Sequence, residues 1–294
     1  MATSMTTPPA GPTTAAPTRP IPWVGMALVG ALIVFCYFPV ISSLVRQWTN
    51  DDDMSHGFFV PAIAGWIAWQ RKDEILAMTP KPAYWALVPL VWGAVQSIIG
   101  SLGAELFLQR TAIVVTIISA VWLVAGTEIL KKLAFPLVLL FFMVPLPQVI
   151  YNQITFPLQL FASQVAETVL SLIGIPVLRD GNVLELAGTK LQVVEACSGI
   201  RSLLSLTFLS LVYGFFFDNR GWMRPLLLVA TIPIAIIANA TRVTITGIIS
   251  DYNKELAEGA FHTFEGWVIF MVALALLVGF HRVVSWFHGQ MVKA

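Results

Sequence analysis

A cysteine at the predicted start of a helix is the residue of this sequence best suited to nucleophilic chemistry. Cys197 lies in residues 195–201 (EACSGIR), directly before a long apolar segment. Arg201 follows four residues later, so on a helix it lies one turn away on the same face. A fixed positive charge and a helix N-terminus both favour the thiolate, which is the nucleophilic form of cysteine. The stretch therefore predicts a reactive thiol rather than an inert buried cysteine.

Two further polar residues lie at the ends of later apolar segments and could converge on this thiol. Arg242 lies in or at the rim of one segment, where an unneeded charge costs about 2.5 kcal/mol or more on insertion scales. His262 is at the start of the last segment, and Glu265 follows it by one helical turn. Glu265 is expected either to orient the imidazole or to cap the helix start as a first-turn acid. Snorkelling to the interface is the alternative explanation for the arginines.

The composition indicates the class of protein that must position these residues. Of the 294 residues, 57% are hydrophobic and only 11% are charged, with a mean hydropathy of +0.80. Several apolar runs reach the length of about 20 residues that a helix needs to cross a bilayer. The chain is therefore predicted to be an all-α polytopic membrane protein. A net charge of +1 without a basic stripe excludes a nucleic-acid partner from consideration.

The two cysteines do not make a disulfide framework. Cys36 falls within the first apolar segment, where a small buried hydrophobic residue is expected, and Cys197 is expected to be a free thiol. The four histidines and two cysteines show no metal-ligand spacing, and no glycine-rich phosphate loop is present. Neither a metal nor a cofactor is predicted.

About eight transmembrane helices are predicted in a single domain over residues 21–294, after a disordered tail over residues 1–20 that is rich in Thr, Pro and Ala. The expected spans are 22–44, 55–70, 83–103, 108–127, 131–148, 199–217, 225–249 and 262–286. Most Lys and Arg residues outside the suspected site fall on one side if both termini are cytoplasmic. This topology places Cys197, Arg242 and His262 on the extracytoplasmic face. His281 and His288 then belong to the inner end and are expected to be interfacial.

The outer loop at about 150–196 is predicted to contain two structural parts. Residues 152–174 have helical spacing and are expected to form a short helix on the interface, with a ninth span as the alternative. Residues 176–194 alternate around Ala187 and Gly188, which predicts a β-hairpin. The hairpin would deliver Cys197 to the mouth of the helix bundle.

These residues resemble the exosortase/archaeosortase family of integral membrane cysteine transpeptidases. The resemblance rests on the Cys-Ser-Gly-x-Arg stretch, an Asn-x-x-Arg in the following span and a later His, in the family's order, over residues 185–285. Its catalytic positions correspond to Cys197, Arg242 and His262, with no departure at these three. Supporting positions are Arg201, Asn239, Glu265, Ser198 and Gly199. His56, in the Ser-His-Gly stretch 55–57, and Glu195 are candidates for a substrate groove.

The resemblance implies a function on secreted proteins. Their C-terminal sorting signal would hold a Pro-Glu-Pro-like (PEP-CTERM) motif, a transmembrane helix and a basic tail. The enzyme would cleave near the motif and pass the protein to an unknown surface acceptor, at a bacterial inner membrane. In this chemistry Cys197 attacks the scissile carbonyl, His262 protonates the leaving amine, and Arg242 stabilises the oxyanion or orients the substrate. The sequence does not divide the labour between Arg201 and Arg242.

Two other classes of function remain open at this point. In a multi-pass transporter the arginines and His262 would line an ion path, and Cys197 would be dispensable. In a scaffold for an exopolysaccharide-export system the same residues would be structural, and no thiol reactivity is expected.

Overall fold

The structure, a computed structural model, describes residues 23–187, 189–193, 200–252 and 260–293. The predicted tail over residues 1–20 lies outside this part of the chain. The same holds for Glu195, Cys197, Ser198 and Gly199. Helices account for most of the described residues, and a small sheet interrupts them once.

The first half of the chain is helical from end to end. It contains α1 (Trp23–Cys36), α2 (Phe38–Asn50), a 3-10 turn (Asp52–Phe58), α3 (Phe59–Gln70), α4 (Lys72–Leu76), a short 3-10 turn (Tyr84–Ala86), α5 (Leu87–Leu102), α6 (Leu106–Ala125), α7 (Thr127–Leu139), a 3-10 extension (Leu140–Met143) and α8 (Gln148–Leu172).

The second half begins with the sheet and ends with three long helices. It contains β1 (Val177–Asp180), β2 (Val183–Leu186), β3 (Thr189–Gln192), α9 (Ile200–Phe217), α10 (Met223–Tyr252) and α11 (Ala260–Lys293).

The described helices contain four to six candidate membrane spans, which leaves the predicted eight unconfirmed. Four are long and apolar enough to cross a bilayer, namely Tyr84–Leu102, Leu106–Ala125, Met223–Tyr252 and Phe264–Val292. Two further pairs qualify only if each bent pair counts as one span, and α9 is apolar but shorter than a full crossing. The predicted span 55–70 is divided between the 3-10 turn Asp52–Phe58 and the 12-residue helix α3. The chain is thus an all-α polytopic membrane protein.

Prolines explain the two bends. Helices α1 and α2 meet at 69°, and a proline occupies the first turn of α2. Helices α7 and α8 meet at 83° across a break that contains Pro145 and Pro147. Proline lacks an N–H donor and disfavours helical backbone in the residue before it, so a helix ends there and restarts in a new direction. The predicted interface helix 152–174 is therefore the larger part of α8, which starts at Gln148 after the bend.

The segment before Cys197 folds as three antiparallel strands in the order β1-β2-β3. The prediction of a two-stranded hairpin missed the turn between β1 and β2, where Gly181 has a φ of +62° that favours glycine. The inner face of the sheet packs on α8 and α10 in a buried cluster: Ala162, Ala166, Leu170, Leu184, Leu186, Val193, Ala240 and Val243. This cluster seats the end of the sheet against α10.

Two other buried clusters join the helices. One gathers apolar side chains of α2, α3, α6 and the 3-10 segments around Phe208 of α9. The other joins α9, α10 and α11 through residues such as Leu206, Leu227 and Leu277. Cys36 belongs to neither: it is exposed on α1, contrary to the expectation of burial. The lipid that surrounds a membrane span is as apolar as the protein interior. A thiol in such a span can therefore face lipid instead of being buried in protein.

Candidate active site

Arg201 is tied to a distant part of the chain at the start of α9. Its Nε donates a hydrogen bond of 2.9 Å to Oδ1 of Asp53. The other carboxylate oxygen of Asp53 accepts a 2.6 Å hydrogen bond from the hydroxyl of Tyr151 on α8. The two oxygens of the Asp53 carboxylate thus accept hydrogen bonds from two different helices. The bond from Arg201 is the stronger of the two, because both of its partners are charged.

The 3-10 turn that carries Asp53 is itself fixed by local contacts. Oδ1 of Asp51 accepts a 3.0 Å hydrogen bond from the backbone N–H of Asp53. Gly57 lies so close to the indole of Trp48 that an added Cβ would come within 2.4 Å of the ring. The indole in turn donates from Nε1 to the carbonyl oxygen of Met143, at 3.0 Å. A glycine is required at this position because no side chain fits between the turn and the ring.

His56 is buried in the same turn. Burial lowers the pKa of its imidazole below 6.5, and the nearby backbone groups of Phe142 and Asp53 and the Asp53 carboxylate only partly oppose this effect. His56 therefore lies buried on the same 3-10 turn as Asp53, the partner of Arg201. The sequence interpretation of His56 as a groove residue stays a prediction.

Arg242 on α10 packs against the helix that carries His262. A Cβ added to Gly266 of α11 would lie 3.1 Å from Nη2 and 3.2 Å from Cζ of Arg242. Residues four apart share a helix face, so the backbone of His262 lies one turn before this contact on the same side of α11. The structure thus brings Arg242 to the His262 face.

Glu265 points towards α10. Its carboxylate accepts a hydrogen bond from the hydroxyl of Thr246, with distances of 3.1 Å and 3.4 Å to its two oxygens. Because α11 begins at Ala260, Glu265 lies beyond the first turn of the helix. This placement agrees poorly with a capping role. It puts the carboxylate beside the contact between α10 and α11, close enough to interact electrostatically with Arg242.

Asn239 lies one turn before Arg242 on α10 and is 6% exposed. Its side-chain nitrogen is buried and makes no hydrogen bond with any residue in the described ranges. Buried amide donors usually have partners, so an unsatisfied one beside a candidate catalytic arginine is a mark of a functional position.

The two sides of Cys197 are anchored on these same elements. Upstream, Val193 is fully buried in the cluster with Ala240 and Val243, the neighbours of Arg242 on α10. Its backbone N–H donates to the carbonyl of Asn182 at 3.0 Å. Downstream, Arg201 is bound to Asp53. The chain on either side of the predicted nucleophile is therefore held between the Arg242 region and the Asp53 turn.

Two contributors were missed from the sequence. These are Asp53 and Tyr151, which no motif in the sequence marked as site residues. The available signal was the position of Asp53, three residues before the candidate His56. The distance of 148 residues between Asp53 and Arg201 hid their pairing.

A separate polar cluster lies at the other end of α11. His281 is buried there rather than interfacial, with Nδ1 at 2.9 Å from the hydroxyl of Tyr213 and Nε2 at 2.8 Å from Oδ2 of Asp218. Arg220 also binds Asp218, and this contact, followed by that of His281, holds the pKa of the carboxyl well below its usual value. The cluster joins α9, the connection between α9 and α10, and α11, away from the predicted site.

Within the described ranges no group of three or more His, Cys, Asp or Glu side chains could hold a metal ion. The described candidates are instead two arginines, a buried histidine and carboxylates. Of these, the arginines suit stabilisation of a developing negative charge.

Comparison with known proteins identifies the family. Neither the curated proteins nor the solved structures contain a match to the chain. The family of the transmembrane exosortase (Exosortase_EpsH) matches residues 48–279, from the end of α2 through most of α11. That interval contains every candidate described above, and the chain belongs to the transmembrane exosortase family.

Proposed function

We propose that this protein is a cysteine transpeptidase that cleaves the C-terminal sorting signals of secreted proteins at the membrane surface. The observation that carries the proposal is the contact between Arg242 and Gly266 on the His262 face of α11. The anchoring of Val193 and Arg201 on either side of Cys197 supports it. Family membership supplies the class of reaction.

In this mechanism Cys197 attacks the scissile carbonyl as a thiolate and forms a thioacyl enzyme. Arg242 stabilises the oxyanion, and His262 protonates the amine that leaves with the transmembrane part of the signal. The amide nitrogen of Asn239, one turn from Arg242, has no hydrogen-bond partner among the described residues, which suits it to bind a substrate carbonyl. An acceptor nucleophile, water or an amine of a surface lipid or glycan, then releases the acyl group.

The proposed topology places both termini in the cytoplasm of a bacterium and the site on the outer face of the inner membrane. This proposal keeps the eight-span assignment, in which α3, α7 and α9 also cross the membrane. In that assignment the excess of Lys and Arg on the opposite side supports the orientation. A substrate whose signal helix stops in the membrane with its basic tail inside would then present its cleavage motif at the level of Cys197. Residues 21–294 form the single domain in this proposal.

The test is co-expression with a reporter that carries a PEP-CTERM-type signal, followed by immunoblot. Cys197→Ala, Arg242→Ala and His262→Ala are each expected to abolish conversion to the shorter product. The chain offers a matched control for each: Cys36→Ala, Arg46→Ala and His288→Ala remove the same residue type outside the site. The controls should process the reporter as the wild type does.

Processing by Cys197→Ala at the wild-type rate would overturn the nucleophile assignment and favour a transporter or a scaffold. Labelling with a membrane-impermeant thiol reagent, in a Cys36→Ser background, separates these classes without a substrate. The transpeptidase predicts fast labelling of Cys197 from outside that slows at low pH. A scaffold predicts no such reactivity.

A further inference from the structure

We propose that Asp53 is a positioning residue that holds Arg201, and through it the start of the helix that follows Cys197. The inference rests on the proposed function, because it assigns a role within the same site. It divides the labour between the two arginines: Arg201 is held for position and charge beside the thiol, and Arg242 serves the substrate.

The geometry of Asp53 is that of a clamp. Its Oδ1 binds Nε of Arg201 on α9 at 2.9 Å, and its Oδ2 binds the Tyr151 hydroxyl on α8 at 2.6 Å. Its side chain is 17% exposed, whereas that of Arg201 is 41% exposed. A carboxylate with both oxygens occupied can rotate only by breaking one of these bonds. Arg201 therefore has a fixed partner, although its side chain reaches solvent.

The support behind Asp53 is rigid. The Asp51 carboxylate caps the start of the turn, and the close packing of Gly57 on Trp48 fixes its end. Trp48 is 8% exposed and is bonded to the carbonyl of Met143. A flexible support would let the side chain of Arg201 turn towards solvent. This support is rigid, so Asp53 holds Arg201, at the start of α9, in a fixed position relative to α2 and α8.

The position of Arg201 matters because the four-residue spacing in the sequence predicts that its charge lies one helical turn from Cys197. A guanidinium one helical turn from a thiol lowers the thiol pKa only while it stays close. Loss of Asp53 would release a part-exposed arginine to solvent, and the thiol pKa would rise. A carboxylate that only balanced the arginine would have the opposite effect, since its removal would leave more positive field at the thiol and lower the pKa.

The first measurement is the rate of alkylation of Cys197 against pH, in a Cys36→Ser background and with purified full-length protein. Asp53→Ala and Arg201→Ala are both expected to shift the profile to higher pH, and the double variant should match Arg201→Ala alone. Glu167→Gln is the matched control, because it removes a part-buried ion pair between Glu167 on α8 and Arg179 on β1 and should leave the profile unchanged.

The second measurement is reporter cleavage by the same variants. Asp53→Ala is expected to slow cleavage about 10-fold, the size of a charged hydrogen bond weakened by solvent. Asp53→Asn keeps one acceptor oxygen, which can still accept from Arg201, and should recover part of this loss. In the Arg201→Ala background Asp53→Ala should cause no further loss, because residues that act through one another are not additive.

A profile shifted to lower pH in Asp53→Ala, or losses that multiply in the double variant, would overturn the clamp. The alkylation profile needs no substrate, so it tests the clamp even if the wild type cleaves no reporter. Failure of cleavage in the wild type with the expected profiles would count against the proposed function alone.

Discussion

Replacement of Gly57 by alanine would disturb the turn that supports the site. The added Cβ would lie 2.4 Å from Nε1, 2.5 Å from Cδ1 and 2.8 Å from Cε2 of the Trp48 indole. Ordinary contact begins near 3.4 Å, so the ring or the turn must move by about 1 Å. The indole is buried, packs edge-on against Phe58 at 5.2 Å and is bonded to Met143. It has no open space to enter.

The magnitude follows from two effects. Overpacking in a well-filled core costs about 1–3 kcal/mol. Movement of the ring also breaks the 3.0 Å bond from Trp48 to the Met143 carbonyl, a net loss of about 1 kcal/mol. Together they lower the free energy of unfolding by about 2–4 kcal/mol, which corresponds to a fall in Tm of about 5 °C or more in a protein of this size.

The assay is the thermal melting of purified protein in detergent, with reporter cleavage measured in parallel. Gly65→Ala is the control, because a Cβ at Gly65 of α3 meets nothing within 4 Å. Its better helix propensity should leave Tm unchanged or slightly higher. The double variant Gly57→Ala/Trp48→Phe should lose less than the two single losses combined, since a smaller ring leaves room for the Cβ. Equal melting of Gly57→Ala and Gly65→Ala would refute the reasoning.

Three further predictions test other parts of the structure. Gly266→Ala places a Cβ 3.1 Å from Nη2 of Arg242, so it should shift the guanidinium by a few tenths of an ångström. Cleavage should slow about 3-fold, and Tm should not fall. Gly279→Ala on the same helix is the control: its Cβ meets nothing within 4 Å, and cleavage should keep the wild-type rate. Burial lowers the pKa of His56, so the unfolded chain binds a proton at this residue more readily than the folded chain does. The free energy of unfolding therefore has its full value above pH 6.5 and decreases as the pH falls from 6.5 towards the lowered pKa. Melting of His56→Gln should show a shallower fall over that range, and an unchanged pH dependence would contradict the burial effect. Asp218 has a lowered pKa, so it stabilises the fold above its ordinary value of 3.8 and loses this effect as the pH falls through the lowered value. Asp218→Asn should lower Tm at neutral pH but retain cleavage at a permissive temperature, and a selective loss of cleavage would instead connect this cluster with the site.

The positions of the long membrane helices could be predicted from the sequence. The expected spans at 83–103, 108–127, 225–249 and 262–286 coincide with α5, α6, α10 and α11 to within a few residues at most ends. Hydropathy depends on local composition, which the printed residues contain in full. The bends at 69° and 83° were not predicted, because a sum of hydropathy over a window contains no information on direction. Pro145 and Pro147 marked one break but not its angle.

The candidate site could be predicted in part. Arg242 and the later histidine were expected to meet, and the contact of Arg242 with Gly266 is consistent with that expectation. The partner of Arg201 was not predicted, since pairing across 148 residues depends on which helices pack together. The cluster of Asp218, Tyr213 and His281 was missed for the same reason: each residue alone has the pattern of an interfacial polar group.

The most direct test of the proposed cysteine chemistry is mass spectrometry of the enzyme after a short incubation with a peptide that carries a PEP-CTERM-type signal. The proposed mechanism predicts a thioester between Cys197 and the N-terminal part of the peptide. Hydroxylamine should remove this adduct, and it should be absent from Cys197→Ala. Cleavage of the peptide by Cys197→Ala, with no adduct on the wild-type enzyme, would contradict the mechanism.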